Sequence, residues 1–525
     1  RGLMKTEVKK KDSGHEVELT LNNRVIGFGK KNVFTVSFDT PDIARAMGTV
    51  KEINIPGLAN QQAFEDFHVH VDVPQQWGKP SYAKPDVLSN TLDFTKEQLA
   101  ESGISIGFGK EQIYQFTLTY HLSNKNIFPV KTEIALPPTT NYQEVFLQNI
   151  TPKPVNVIQD QDGNWLAQYI LMPSQKVDVL AKGHAILSMN PKEAFLTDAE
   201  KKLYLQDKPY WQVNDPQIQE LAKELKTPQA IYQYVVNLLA YDFSRVTNDQ
   251  ERVGALGVLK NPKSAVCLEF TDLFITLARA AGIPAREVDG FAYTENTKER
   301  PLSLVKDILH AWPEYYDEKK QQWVMVDPTW QNTTKGIDYF TSLDFDHFAF
   351  TIKGIRSDYP IAAGGYKIAG QEDKKDIDIT FSDAVPEKTT ALESNITLQS
   401  GLVTNAVDGT ILLKNTGNSL VLTQKVIVLS PDLQPQEQTV YTPAIPPFGQ
   451  ATIPITFTKP ALLTKEDVDI TIQVGNIRQT KSVPIASLFS VKTLITGGII
   501  IGSISITLFI IAKGTGYLLL RRRKR

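Results

Sequence analysis

Alternation of apolar and polar residues, the period of a sheet with one wet face, dominates the first third of the chain. Segments 16–21, 33–38 and 115–120 read as strands on this pattern. Asp160-Gln161-Asp162-Gly163-Asn164 falls between two further runs. It lacks the third acidic ligand and distal Glu of a calcium loop, so an Asp-Gly hairpin turn is expected. His68-Val69-His70 puts two imidazoles on one strand face, and with no third ligand it reads as a surface pair. The period changes near 195. Asp215-Pro216 and Thr227-Pro228 each set a capping side chain before a Pro at the first helical position. Ile231, Val235, Leu238 and Leu239 line one face of the second helix. Helices and strands then alternate to about 365. From 376 the strand pattern returns, at 377–381, 410–413, 426–429 and 469–472, with the spacing of an immunoglobulin-like sandwich.

A different pattern closes the chain. Thr493 to Ala512 is an uncharged, Ile-rich run of the length that crosses the roughly 30 Å hydrocarbon core of a bilayer. Lys513 interrupts it, and Arg521-Arg522-Arg523-Lys524-Arg525 follows a last apolar stretch. Such a basic tip is expected to stay cytoplasmic, which places the bulk of the chain outside. That orientation requires an export signal, and a chain starting at Arg1 is expected to have lost one. The expected domains are a β-rich, sandwich-like 1–195, an α+β 196–368, a β-sandwich 369–490, a transmembrane helix 491–520 and a cytoplasmic tail 521–525.

Composition narrows the chemistry. With 42% hydrophobic and 22% charged residues in 525, neither a disordered chain nor a multi-pass membrane protein fits. Lys+Arg number 56 against 58 Asp+Glu, and the basic tip leaves a mildly acidic body, which argues against nucleic-acid binding. The single cysteine, Cys267, excludes intrachain disulfides, cysteine-only zinc sites and iron–sulfur clusters.

That cysteine sits where it can react. Ser264 reads as the N-cap of a helix whose buried face carries Phe270, Leu273, Phe274, Leu277, Ala278 and Ala281, and Gly282 and Pro284 stop it. Cys267 then lies in the first turn, where free N–H groups and the helix dipole favour a thiolate and can hold an oxyanion. The opposing reading is an inert core thiol. Downstream, a strand with His310-Ala311-Trp312 turns at Asp317-Glu318-Lys319-Lys320 and returns to Asp327-Pro328-Thr329. If Asp317 pairs with Lys320, His310 and Asp327 face each other with Cβ atoms about 5 Å apart. Asp327 would orient the imidazole, His310 would take the thiol proton and return it to a leaving group, and Cys267 would attack a carbonyl. Tyr241 is positioned to donate to an oxyanion, though core packing is the preferred reading. Trp312 and Trp330, flanking the pair, also read first as packing.

The run Leu277-Ala278-Arg279-Ala280-Ala281-Gly282-Ile283-Pro284-Ala285-Arg286, with Cys267 before it and the His310 and Asp327 motifs after, resembles the core of the transglutaminase-like superfamily. The resemblance covers about 200–365. It implies an α+β fold related to papain-like thiol proteases, with Cys267 as nucleophile, His310 as general base and acid, and Asp327 as its orienter. The β domains and terminal anchor resemble those of bacterial membrane-bound members. Two positions depart from the family: Ala265, often Gly, and Pro313, usually β-branched, which removes a ladder hydrogen bond and suggests a local edge. No cofactor or metal is implied. The expected function is a membrane-anchored extracytoplasmic thiol acyl-transferase or hydrolase acting on protein or peptide amides. The alternative is a non-catalytic surface scaffold or adhesion protein on the same fold.

Overall fold

The computed structural model describes residues 4–11, 14–21, 29, 31, 33, 35–41 and 43–487, except 59, 87–90, 100–101, 247–250, 303–306, 308, 369, 371–373, 401–405, 460–466 and 476. The expected membrane helix at 491–520 and tail at 521–525 lie outside them. Among the described residues no helix is long and apolar enough to cross a membrane.

The described residues fall into two compact units, divided after residue 43. The first contains an antiparallel hairpin, Met4–Lys11 with Gly14–Leu21. The alternation at 33–38 does not produce a strand: residues 33 and 35–38 are irregular and exposed. A period of two makes a strand only where a partner edge is available to pair with it.

In the second unit, the strands Glu111–Ser123 and Lys176–Ser188 pair along their whole length. With Gln143–Thr151 they form a sheet whose buried side packs against a second sheet, Val130–Leu136, Trp165–Leu171 and Asn156–Gln159. Period-two alternation puts Tyr114, Phe116, Leu118 and Tyr120 on one face, all buried. This core takes Phe291, Phe348, Phe350 and Ile377 from later in the chain, so it continues across the sequence boundaries expected at 195 and 368. Ile377–Ser382 pairs with Glu111–Ser123 and edges this N-terminal sheet, not the C-terminal one to which its sequence position assigned it. Residues 160–164 form the expected turn, with Gly163 at φ +94°. Asp162 there accepts hydrogen bonds from the backbone of Gly354 and Ile355 (3.0 and 3.1 Å). His68 and His70 are exposed on the short strand His68–His70 and pair with Asp66, Asp72 and Asp93.

The C-terminal region is one continuous eight-stranded sheet. Its halves are joined through a parallel pairing of Leu392–Ser400 with Ile477–Ser487, and both contribute to one core containing Ile411, Phe457, Val426 and Ile470.

Between these β regions lies the helical segment. The helices Pro216–Leu225 and Pro228–Leu238 begin as expected, capped by Asp215 and Thr227 with Pro at the first position. Helix α1, Cys267–Ala280, lies against an antiparallel sheet of β1 (Ala285–Ala292), β2 (Leu309–Asp317), β3 (Gln322–Met325) and, beyond α2 (Pro328–Thr333), β4 (His347–Lys353). The sheet order is β3-β2-β1-β4.

Candidate active site

Helix α1 starts at Cys267 itself, with Val266 at the cap. Val has no side-chain acceptor, so the end is secured from inside: the Glu269 carboxylate accepts from the Val266 N–H (3.0 Å) and pairs with Arg245 (3.2 Å). Ser264, the expected cap, instead donates its hydroxyl to Asp242 (3.3 Å). Cys267 keeps its place in the first turn, among backbone N–H groups without intrahelical partners. Its side chain is fully covered. Thr271, one turn on, donates to the Ala311 carbonyl (3.3 Å) and ties α1 to β2 beside His310.

His310 lies on β2 opposite Gly290 of β1. A Cβ at Gly290 would stand 2.2 Å from the Phe348 carbonyl oxygen and 2.7 Å from the Trp312 ring, so only glycine lets β1 sit this close. Gly290→Ala is expected to cost about 1–3 kcal/mol by overpacking, read as a lower thermal midpoint.

The hairpin register differs from the expected one by two residues. Asp317 pairs with Gln322 and Glu314 with Met325. The Asp317 side chain accepts from the N–H groups of Lys319 and Lys320 (2.9 and 3.1 Å), and Gln321 takes a left-handed φ of 50°. These bonds widen the turn beyond two residues. A shift of two preserves which face each side chain occupies. Asp327 therefore stays on the His310 side, but beyond the end of β3, as the N-cap of α2. Its Oδ1 accepts from the N–H groups of Thr329 (2.9 Å) and Trp330 (3.0 Å). Asp-Pro-Thr is thus a capping motif that fixes the carboxylate. At Pro313 the ladder to β3 has ended, and its carbonyl accepts from Val326 N–H (3.2 Å).

Asp327 Oδ2 lies 2.9 Å from His310 Nε2. Nδ1 of His310 is buried without an ordinary hydrogen-bond partner, and the Cys267 thiol also acts on this ring. Burial works to lower the His310 pKa, but Asp327 and then Cys267 outweigh it and hold it at about 9. Burial would raise the Asp327 pKa, and His310 with His347 keeps it well below the usual carboxylate range. Trp330 stacks on the imidazole at 5.1 Å and Trp312 at 6.1 Å, and both indoles are fully buried. They pack the ring in one orientation.

The raised His310 value gives stability a pH dependence. A group whose folded pKa exceeds its unfolded value stabilises fully below the unfolded value and loses that contribution as pH rises through the folded one. Thermal stability is expected to fall between about 6.5 and about 9 from this group, with a shallower slope in His310→Gln.

Tyr241 pairs with Ala265 across a short parallel bridge, and its ring stacks with Phe270 at 6.5 Å. Its hydroxyl, however, is buried without a hydrogen-bond partner. Burial first, and then the proximity of Cys267, pushes its pKa up, so it remains a proton donor.

Sequence reasoning missed His347 and Asp344. His347 Nε2 lies 3.3 Å from Asp327 Oδ2, and its Nδ1 lies 2.7 Å from Asp344 Oδ1. The available signal was the order Asp344-Phe345-Asp346-His347 at the entry to an apolar strand, acids and an imidazole where burial demands partners. One ligand atom each from His310, Asp327 and His347 lies within 4.8 Å of the other two, a cation-sized grouping. These groups already satisfy one another in a His310–Asp327–His347–Asp344 chain, and a cation would have to displace those bonds.

Residues 212–328, a span that includes Cys267, His310 and Asp327, match the transglutaminase-like superfamily. A protein-glutamine gamma-glutamyltransferase of Pseudomonas aeruginosa is 33% identical over 132 residues, 24% of this chain. The chain spans 20% of that relative's length. Among solved structures, a Cytophaga hutchinsonii protein provisionally described as a cysteine protease is 16% identical, with 52% of this chain and 98% of that chain covered and a TM-score of 0.31. Red sea bream transglutaminase is 12% identical, with 69% and 80% covered and a TM-score of 0.20. Over residues 212–328 the central part of this chain is thus similar to the transglutaminase-like superfamily core.

Proposed function

We propose that this domain is a thiol acyl-transferase or hydrolase acting on amide bonds of proteins or peptides, with Cys267 as nucleophile, His310 as base and acid, and Asp327 as orienter. The observation that carries the reading is the buried imidazole held by Asp327 through Nε2, with Nδ1 left for the thiol. With its proton already passed to His310, the Cys267 sulfur attacks the carbonyl carbon. The resulting oxyanion is held by first-turn N–H groups and the Tyr241 hydroxyl. Collapse breaks the C–N bond, the leaving nitrogen takes the proton from His310, and a thioester remains. Water or an amine, deprotonated by His310, then attacks the thioester, and the thiol recovers its proton. Water yields acid and an amine yields a new amide, so hydrolysis and transfer differ only in the second nucleophile. Because Cys267 is fully covered, turnover requires a local opening.

The test is incubation of the full chain with a glutamine-containing protein and a labelled primary amine, following both amine incorporation and ammonia release. Either product, absent with Cys267→Ala, supports the reading; neither, together with no thioester on Cys267 by mass spectrometry, contradicts it. Tyr241→Phe is expected to lower kcat about 10²-fold with KM little changed, the cost of one oxyanion donor.

The coverage of the sulfur also favours a second reading, a surface scaffold on the same fold. It predicts partner binding indifferent to Cys267→Ala and no turnover of any acyl donor. For location, we infer from 493–512 and the basic 521–525 that the chain is anchored with its bulk outside and its tip cytoplasmic. External protease that degrades the body on intact cells supports this; full protection until lysis contradicts it.

A further inference from the structure

Resting on the reading above, we propose that His347 is a fixed imidazolium, held by Asp344, that positions Asp327 and tempers its pull on His310. It is a positioning residue, two groups removed from the sulfur.

A neutral imidazole has one N–H and one lone pair. His347 has a carboxylate oxygen at both nitrogens, Asp344 at 2.7 Å and Asp327 at 3.3 Å. A neutral ring would aim a lone pair at one of two buried anions; a protonated ring donates to both. Every bond of Asp327 has a use: Oδ1 accepts two backbone N–H groups, and Oδ2 is shared by the two imidazoles. The rings of His310 and His347 lie 5.8 Å apart, near enough for one charge to act on the other. Trp330 lies against both and fixes their orientation. Burial opposes a charge on His347, and Asp344 and Asp327 together outweigh it.

The charged groups around this chain come from several elements. Asp344 and Asp346 precede β4, Asp327 caps α2, and His310 lies on β2. Arg300 donates to the Tyr339 hydroxyl (2.8 Å), and Lys84 stands 3.6 Å over the same ring. Glu52 accepts from Tyr82 (2.6 Å) behind them. Removing the His347 charge leaves the full Asp327 charge to His310. The His310 proton is then lost at higher pH.

The experiment measures the rate of Cys267 alkylation by iodoacetamide against pH in the full chain and in His347→Gln and Asp344→Asn. The limb set by His310 is expected to move up by roughly 0.5–1 pH unit in each variant. A lower rate at every pH with unmoved limbs indicates a merely structural role and overturns the proposal. Nitrogen NMR of histidine-labelled native protein decides the matter if a variant does not fold. Both nitrogens of His347 protonated at neutral pH support the proposal. A neutral tautomer, or signals that change on adding EDTA, overturns it. If alkylation of the native protein is slow and independent of His310, the proposed function fails, and the NMR result still reads the charge of His347.

Discussion

His310→Ala is expected to lower kcat by about 10⁴-fold or more, with the loss equal in kcat/KM, because the imidazole acts only as protons move. The double variant with Cys267→Ala should lose little beyond either single change, since nucleophile and base work as a unit. Steady-state turnover of a glutamine substrate, measured as ammonia release, checks both statements. The ring is held by Asp327 at Nε2 and by Trp330 and Trp312 stacked on it. Little reorganisation is needed when the proton transfers.

Asp327 has the second large effect, and its two substitutions should separate two roles. Asp327→Ala removes the partner of two buried imidazoles and the cap of α2 together. Breaking a buried charged pair from one side costs about 3–5 kcal/mol, so a large drop in the denaturation midpoint is expected. Asp327→Asn can still cap α2 through its amide oxygen. Its stability loss should be smaller, while turnover should still fall by about 10⁴-fold because the amide does not hold the imidazolium as an anion does. Equal turnover in the Asn variant and the native chain would remove Asp327 from the chemistry and leave it a structural cap.

These residues were legible in the sequence for physical reasons. A cysteine ahead of an apolar three-and-four repeat has a restricted set of positions, and the first turn of α1 is where it falls. His310 and Asp327 were assigned to one face, and that assignment survived a register shift because the shift was even. The register itself was not legible: Asp317 bonds to Lys319 and Lys320 and enlarges the turn, a side-chain event that pattern does not record. Ser264 failed as a cap for a similar reason, since Asp242 took its hydroxyl and Glu269 secured the helix from its third position. His347 was missed because its partners are twenty residues back at Asp327 and three back at Asp344, and only the fold unites them. The boundaries at 195 and 368 looked clean in period but are bridged by one core, because Phe348, Phe350 and Ile377 join the core built on the long N-terminal strands. Long-range packing of this kind leaves no mark on local periodicity.

The most direct measurement is the rate at which iodoacetamide modifies Cys267 in the folded chain, compared with His310→Ala and with the unfolded protein at the same neutral pH. The account predicts a native thiol that reacts through its local opening at neutral pH and slows sharply when His310 is removed. A native thiol that reacts more slowly than the unfolded one, at the same rate with or without His310, would make Cys267 an inert core residue and contradict the account.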